Sequence, residues 1–392
     1  MRFSTSRPGN CLILLVLLCA SAATIGCDNG SWPLWRSYSS RFIDADGRVF
    51  DPSGDQHTTS EAQAYSLFFA LAANDTQTFH RVLDWTEANL AQNDLRTHLP
   101  AQLYGKNKTG QWAILDPNSA SNADTWIAYS LLEAGRLWNS SAYVSLGRTM
   151  LELIAKNEVA NLPGFGPMLL PGPSGYQHGN TITLNPSYLP LFLFERFAAV
   201  DPSGPWQQIA RNIPRLLQQG SRHGFAMDWV EYVSGDGFYP TTDPLAPDQP
   251  GSSANTPRGS GDAICVYLWA GMLNRDDPQR AAVLNADPGM SAYLETHDAP
   301  PEVINEEGIP EPQNGPVGYS AVMLEYLRAF PHLSRATARQ LIRLTEEKQV
   351  ETGLYGRDNS YSDQCLALFA TGFFDGRFRV GMRGELNVKW KR

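Results

Sequence analysis

Cysteine and histidine are scarce in this sequence, and their placement does not indicate a disulfide framework or a metal centre. Five of the 392 residues are cysteines. Two lie in an apolar segment near the N-terminus, and the others are Cys27, Cys265 and Cys365. A Cys265–Cys365 bridge is possible in an oxidising compartment, but three scattered cysteines do not make a framework. The seven histidines are not at zinc-ligand spacing with one another or with cysteine. The sequence therefore predicts no metal site.

Long apolar runs and basic clusters are also missing. Beyond residues 11–23, no segment is long and apolar enough to span a bilayer. The net charge is −9, which disfavours nucleic acid and anionic membrane surfaces because both bind basic patches. A neutral polymer is compatible with this charge. Neither a Gly-x-Ser-x-Gly nucleophile motif nor a glycine-rich phosphate loop is present.

The N-terminal segment has the features of an export signal. Arg2 and Arg7 precede the apolar run, and small residues follow it. Cleavage near Ala23 would give a soluble periplasmic or secreted protein, whereas lipidation of Cys27 would anchor the protein to a membrane. We predict a signal peptide over residues 1–27. The about 365 remaining residues contain no dividing linker, so we expect one large domain over residues 28–392.

Helical periodicity recurs through most of that domain and predicts an all-α fold of paired helices with long loops. One strand pair is expected, Phe225–Val233 with Phe238–Thr241, joined by a glycine-containing turn. Residues 28–57 are expected to be irregular. The predicted helices are 60–73, 77–91, 122–138, 142–157, 187–199, 204–219, 260–273, 277–285, 289–296, 318–329, 334–349 and 360–374.

Glu61 occupies the first turn of one predicted helix. Thr59 and Ser60 can cap this helix, and Tyr65 and Phe68 recur on the same face as Glu61. The helix N-terminus favours an ionised glutamate, while burial among aromatic rings favours the neutral acid. If burial prevails, Glu61 is a proton donor at neutral pH. The alternative is an ordinary capping glutamate.

Two further segments place acids at helix starts beside aromatic residues. Asp116, Asn122 and Asp124 precede or open a helix that contains Trp126, and Asp262 opens another. Each acid alone is more typical of a helix cap. Three such segments on separate helices indicate acids gathered at one end of a helical ring. Carboxylates, amides and aromatic rings together are the groups that bind sugars.

Segment 120–138 resembles the signature helix of the family 8 glycoside hydrolases. Similar motifs follow in the same order over nearly the whole chain after the signal. The resemblance is greatest to the endoglucanases encoded with bacterial cellulose synthases. The matching motifs are Thr59–Tyr65, Asn185–Pro190, Gly224–Val230, Asp262–Trp269 and Gly315–Ser320.

This resemblance implies an (α/α)6 barrel with long loops, a small β-hairpin at one end and an open cleft for β-1,4-glucan. It implies an inverting endo-β-1,4-glucanase that trims cellulose during its synthesis and export, with the cellulose synthase or export complex as a candidate partner. Glu61 maps to the general acid and Asp262 to the general base, and no metal or organic cofactor is required. The candidate substrate-binding residues are Asn122, Asp124, Asp116, Tyr188, Trp126 and Trp112.

Three positions depart from the family pattern. Asn122 stands where an aspartate usually lines the reactive subsite, Gly261 where a tyrosine is usual, and Cys265 where an arginine is usual. An amide can bond a sugar hydroxyl but offers no charge to a cationic transition state. Loss of the arginine could shift the pKa of Asp262.

These departures keep two other hypotheses open. One is a non-catalytic glucan-binding component of the export machinery, although retention of both Glu61 and Asp262 favours an enzyme. The other is a related hydrolase of chitosan, xylan or mixed-linkage glucan, because one type of cleft serves several polymers.

Overall fold

A computed structural model describes residues 32–52, 55–246 and 256–391. The predicted signal peptide and Cys27 lie outside these ranges. The helices are α1 (Pro33–Phe42), α2 (Ser60–Ala73), α3 (Thr76–Leu90), α4 (Ser121–Trp138), α5 (Ser141–Asn157), α6 (Leu191–Val200), α7 (Trp206–Gly220), α8 (Ala263–Met272), α9 (Arg280–Leu284), α10 (Pro288–Thr296), α11 (Val317–Arg328), α12 (Ser334–Glu346) and α13 (Tyr361–Phe374).

Six of these helices form an inner ring: α2, α4, α6, α8, α11 and α13. Their residues are apolar around most of the helix circumference, as expected for helices that are enclosed on all sides. Outer helices such as α7 and α12 bury one face only. Each inner helix packs against an outer neighbour, in the pairs α2–α3, α4–α5, α6–α7, α8–α9, α11–α12 and α13–α1. This arrangement is an (α/α)6 barrel, which confirms the predicted fold class.

The expectation of irregular structure over residues 28–57 is wrong where α1 forms. Pro33 occupies the first turn of this helix, where a missing N–H costs nothing. Trp35, Tyr38 and Phe42 follow at helical spacing and are buried. The Tyr38 and Phe42 rings contact Tyr361 of α13. The first described helix therefore closes the ring against the last.

Prolines and loop contacts account for the shifted helix boundaries. The helix predicted over 187–199 is divided into a 3-10 turn, Pro186–Tyr188, and α6, which begins after Pro190. The predicted start at residue 260 is replaced by Ala263, since Ser260 is held in the preceding loop by Asp228.

The expectation of a single strand pair is also wrong. The predicted pair exists as β8 and β9, but it belongs to an antiparallel sheet with strand order β6-β7-β8-β9, and three other small sheets occur in the described residues. The strands are β1 (Thr58–Thr59), β2 (Ala101–Lys106), β3 (Trp112–Ser119), β4 (Val159–Leu162), β5 (Gly166–Leu169), β6 (Gln177–His178), β7 (Thr181–Leu184), β8 (Trp229–Val233), β9 (Gly237–Thr241), β10 (Phe378–Val380) and β11 (Leu386–Val388).

Aromatic rings fill the axis of the barrel. Trp126 is 1% exposed, and its ring lies 4.9 Å from Phe68 of α2, 5.9 Å from Phe192 of α6, 5.3 Å from Trp269 of α8 and 5.0 Å from Phe369 of α13. This packing joins five inner helices through one side chain. It leaves the helix ends to form the surfaces at either end of the barrel.

Two further expectations concern the whole described chain. Cys265 and Cys365 are free thiols, so the bridge considered from the sequence is not formed. Within the described ranges, none of the helices combines the length and the apolar character needed to cross a bilayer.

Candidate active site

Glu61 lies in the first turn of α2, at one end of the inner ring. The Thr59 hydroxyl caps this helix by accepting a hydrogen bond from the Ala62 N–H at 3.1 Å. The side-chain amide of Asn122, in the first turn of α4, donates to Glu61 Oε2. Burial raises the pKa of Glu61, while hydrogen bonds from Asn122 and Tyr65 lower it. Burial has the larger effect, so this carboxyl retains its proton at higher pH than an exposed glutamate.

Asp262 immediately precedes α8, at the same end of the barrel. The Asn185 side chain donates to Asp262 Oδ2 at 2.8 Å. Burial, followed by the negative charge of Asp228, raises the pKa of Asp262 to about 8, and the Asn185 hydrogen bond lowers it. Both directions follow from electrostatics, because a buried carboxylate beside another acid is costly and a hydrogen-bond donor stabilises it.

Asp228 fixes the backbone at the N-terminus of α8. Its carboxylate accepts hydrogen bonds from the Ser260 N–H at 2.7 Å, the Ser260 hydroxyl at 2.5 Å and the Ala263 N–H at 2.8 Å. These bonds fix the backbone on both sides of Asp262. The sequence motifs contained Asp228 and Asn185, but nothing in the local pattern indicated their contacts with Asp262 or its flanking backbone.

Glu61 and Asp262 lie within electrostatic range of each other. The charge of Glu61 contributes to the raised pKa of Asp262, and both acids add to the effect of burial in raising the pKa of Tyr188 and of Cys265. Each carboxyl is nevertheless bound by a different amide, Asn122 or Asn185. The two acids are therefore close enough to interact electrostatically and are held separately.

An aromatic and acidic surface extends from Asp262. Trp229 stacks against Tyr176 with ring centroids 6.0 Å apart and planes at 6°, and it contacts the edge of Tyr188 at 6.1 Å. Burial and then the charge of Asp116 raise the pKa of Asp243, which also acts on Asp262. Tyr176 is itself buried, so the half-buried Trp229 and Tyr188 supply the rings of this surface. The surface thus combines flat rings with carboxylates, the two groups that bind sugar faces and hydroxyls.

The structure places some of the six predicted substrate-binding residues at the candidate site and others in the protein interior. Asn122 and Tyr188 lie beside the two acids, and Asp116 lies on the acidic surface near Asp243. Trp112 is 38% exposed, with the Arg48 guanidinium 4.2 Å from its ring centroid. Trp126 fills the barrel axis and Asp124 is fully buried, so neither presents a surface to the cleft.

Asp124 instead pairs with Glu158 inside the protein. Both side chains are fully buried, and the Ser119 hydroxyl donates to Glu158 Oε1 at 2.6 Å. Burial is the main cause that raises the pKa of both carboxyls, to about 7 for Glu158, and the charge of Glu158 raises that of Asp124 further. One proton shared between the two carboxyls satisfies this pair, as in other close carboxyl dyads.

The buried pair makes stability depend on pH. Its folded pKa values are raised, so the stabilisation is complete below the unfolded value near 4.5 and is lost as pH rises through about 7. We expect the free energy of unfolding to fall by on the order of 3 kcal/mol across this window for Glu158 alone. Denaturant titrations of the wild type and Glu158→Gln from pH 5 to 8 measure this, because glutamine has no proton to lose.

The matched control for this prediction is Glu152→Gln, which removes an exposed glutamate from the same region, on α5. The control should reproduce the pH dependence of the wild type. Parallel pH curves for Glu158→Gln and the wild type would contradict the assignment of this dependence to the buried pair.

The three departures from the family pattern lie at the site. Gly261 is exposed, and a Cβ atom there would meet only the Tyr319 hydroxyl, at 3.8 Å, so space for a side chain exists. Burial and the charge of Glu61 raise the pKa of the Cys265 thiol, which is therefore neutral. No set of three or more His, Cys, Asp or Glu side chains in the described ranges is arranged to hold a metal ion.

A barrel of six helix pairs with carboxyl groups at one end of its inner ring is the architecture of a helical-barrel glycoside hydrolase. The family model described as glycosyl hydrolases family 8 matches residues 6–329. The chain belongs to this family and is a glycoside hydrolase.

Individual relatives agree over nearly the full chain. An endoglucanase of Xanthomonas axonopodis pv. citri (strain 306) is 41% identical over 378 residues, which cover 96% of this chain and 94% of that protein. An endoglucanase of Escherichia coli (strain K12) is 38% identical over 383 residues, 97% of this chain and 96% of that protein. The crystal structure of an endo-1,4-D-glucanase from Vibrio fischeri ES114 is similar with a TM-score of 0.81 and 37% identity, covering 92% of this chain and 100% of that one.

Proposed function

We propose that this protein is an endo-β-1,4-glucanase that cleaves by inversion, with Glu61 as general acid and Asp262 as general base. The observation that carries the proposal is the pair of half-buried carboxyls that interact electrostatically while each is bound by a different amide, Asn122 or Asn185. Inversion needs two carboxyl groups that are held separately, because a water molecule must fit between the base and the sugar ring.

The reaction couples two proton transfers. Protonated Glu61 gives its proton to the glycosidic oxygen as the bond from C1 to that oxygen breaks and C1 becomes oxocarbenium-like. Asp262 takes a proton from water as the water oxygen attacks C1 from the opposite face of the ring. Glu61 ends ionised and Asp262 ends protonated, and exchange with solvent restores both. The newly formed reducing end therefore has the α configuration.

The productive ionic state has Glu61 protonated and Asp262 ionised. Burial raises the pKa of both groups, which helps the acid and opposes ionisation of the base. The Asn185 hydrogen bond favours the ionised form of Asp262 and also orients its carboxylate. Because the two groups interact, the pH profile of kcat/KM reports the pair rather than either residue alone.

For the substrate we propose a neutral β-1,4-glucan chain along the aromatic and acidic surface. Asn122 and Tyr188 contact the sugar at the cleavage point, while Asp116 and Trp112 contact more distant units. Trp126 and Asp124 act from inside, through the shape of the cleft floor. In the cell, the proposed role is to trim cellulose during its synthesis and export by the cellulose synthase complex. This role requires an exported protein, which would be periplasmic, secreted or anchored through Cys27.

Two measurements on carboxymethyl cellulose and cello-oligosaccharides test the proposal. Endo-acting cleavage should lower viscosity early while few reducing ends are released. Proton NMR during the first turnovers of cellopentaose should show α-anomeric ends before mutarotation. An initial β-anomer would overturn inversion.

Other polymers separate the competing functions. Faster release of reducing ends from chitosan, xylan or mixed-linkage glucan would assign one of those substrates instead. Binding of cello-oligosaccharides without any hydrolysis would identify a glucan-binding protein that has lost its chemistry.

Asn122→Asp is expected to raise kcat/KM near neutral pH, by up to about tenfold for each pKa unit gained by Glu61. An ionised carboxylate introduced at this position would raise the pKa of Glu61 by its negative charge, and it would also remove a donor to the ionised form of Glu61. More enzyme then has Glu61 protonated while Asp262 is ionised. The pH profiles of wild type, Asn122→Asp and Asn122→Ala measure this, since alanine removes the amide without adding charge. A kcat/KM for Asn122→Asp at or below that of wild type at every pH would contradict the prediction.

A further inference from the structure

A second concavity lies at the opposite end of the barrel from the two acids. It is a cavity of about 770 Å³ between the C-terminal ends of α4, α8, α11 and α13, the α8–α9 loop and the hairpin β10–β11. Its volume is in the range of small-molecule sites. We call it the basal cavity. Its charged lining residues are Arg136, Arg275, Arg280, Arg328, Arg379, Lys391, Asp276 and Glu325.

The lining is strongly basic in a chain whose net charge is −9. Six cationic side chains face two carboxylates. Glu325 pairs with Arg328 at 2.8 Å, and Glu133, behind the wall, pairs with Arg136. Within the described ranges, Arg275 forms neither an ion pair nor a hydrogen bond, and Lys391 forms no ion pair. Glu325 also acts electrostatically on Arg275 and Arg379, so this one carboxylate is shared among three guanidinium groups, and the cations of the lining outnumber its carboxylates.

The cations also act on one another. Burial and the charge of Arg275 lower the pKa of Arg280, against the opposite effects of Glu325 and Asp277. A lowered pKa on a guanidinium means that its charge is poorly solvated and repelled. An anion placed between Arg275 and Arg280 would stabilise the poorly solvated charge of Arg280 and would reduce the repulsion between the two guanidinium groups.

Helix termini account for some of these cations. The carbonyl-rich C-terminal end of a helix attracts positive charge. Arg136 stands in the last turn of α4, Lys391 donates to the Leu137 carbonyl of the same turn at 2.6 Å, and Arg280 donates to the Leu273 carbonyl at the end of α8 at 3.4 Å. Arg275 has no such contact with a described residue and is exposed at the cavity edge. Proximity to helix C-termini therefore accounts for Arg136, Lys391 and Arg280, but not for Arg275.

We propose that the basal cavity binds a small multivalent oxyanion that carries phosphate or carboxylate groups. Guanidinium groups bind both kinds of group through paired N–H donors. The binding site is distinct from the cleft of the proposed glucanase and does not depend on the proposed activity. By bridging α8, α11 and the C-terminal hairpin, a bound anion would stabilise the end of the barrel that carries no catalytic group.

Calorimetric titration of the full chain with pyrophosphate and with citrate tests this proposal. We expect saturable binding of at least one probe and a Tm that rises with its concentration. Arg275→Gln and Arg280→Gln should each weaken binding by roughly tenfold or more. Pyrophosphate binding alone would assign a phosphate ligand, and citrate binding alone a carboxylate ligand.

The matched control is Arg335→Gln, which removes an exposed arginine from α12 and changes the net charge equally. It should bind the probes as the wild type does, and so should Glu61→Gln. Arg275→Gln should hydrolyse carboxymethyl cellulose at the wild-type rate, and cellotetraose should not displace the probe. Absence of saturable binding at millimolar probe, or equal weakening by Arg335→Gln, would overturn the proposal. Because Arg275 is exposed, its variant keeps the test valid if Arg280→Gln does not fold.

Discussion

Glu61→Gln is expected to lower kcat on carboxymethyl cellulose by roughly 10² to 10⁴-fold, the range that a positioned general acid contributes. Glutamine has the shape of the protonated acid and can still accept the Asn122 amide hydrogen bond through its carbonyl oxygen. It has no proton to give to the departing oxygen. Binding of cellotetraose, measured by calorimetry, should remain within a few-fold of wild type because the cleft is unchanged.

A substrate with an acidic leaving group sharpens this test. The dinitrophenolate of a dinitrophenyl cellobioside leaves as a stable anion without protonation, so Glu61→Gln should recover most of its activity on that substrate. The matched control is Glu152→Gln, on the exposed face of α5, which should behave as the wild type on both substrates. If Glu61→Gln hydrolyses carboxymethyl cellulose at the normal rate, another group is the acid.

Asp262→Asn is expected to cause a loss of similar size, roughly 10² to 10⁴-fold in kcat, for a different reason. Asparagine cannot accept a proton from the attacking water, although its carbonyl oxygen can still accept the Asn185 hydrogen bond. The activated leaving group should not restore this variant, since water must still be deprotonated. The contrast between the two variants on one activated substrate separates the acid from the base.

The control for Asp262→Asn is Asp358→Asn, which changes an exposed aspartate far along the chain and should leave kcat unaltered. Circular dichroism and Tm show whether the variant is folded with wild-type helix content and stability. Full activity in a folded Asp262→Asn protein would move the base to Asp243 or Asp116, the acids that line the neighbouring surface.

The local sequence pattern was sufficient to predict much of the helical framework. α2, α4, α5 and α13 begin and end within about one residue of the periodic apolar segments that predicted them, because capping and helical spacing are properties of neighbouring residues. α1 was missed even though Trp35, Tyr38 and Phe42 have helical spacing. Its length is short, and its stability comes from packing against α13 rather than from its own sequence.

The sheets were mostly missed for a related reason. β7 pairs with β8, and β1 pairs with β2, across long intervening segments. Most of the missed strands are two to four residues long, too short for a periodicity that distinguishes them from loops; β2 and β3 are the longer exceptions. For β1 and β7, tertiary structure brings in the hydrogen-bond partner from a distant segment.

By itself the sequence determined that Glu61, Asn122 and Asp262 stand at helix starts, and its motifs implied a catalytic pair. Only the tertiary structure decided which acids interact with one another. It brought Asp262 within electrostatic range of Glu61, supplied Asn185 and Asp228 from distant segments, and buried Asp124 against Glu158. The reason is that a helix cap depends on a few consecutive residues, whereas a site at the end of a barrel depends on how the six inner helices pack. The basal cavity, whose cations come from several separate segments of the chain, became visible for the same reason.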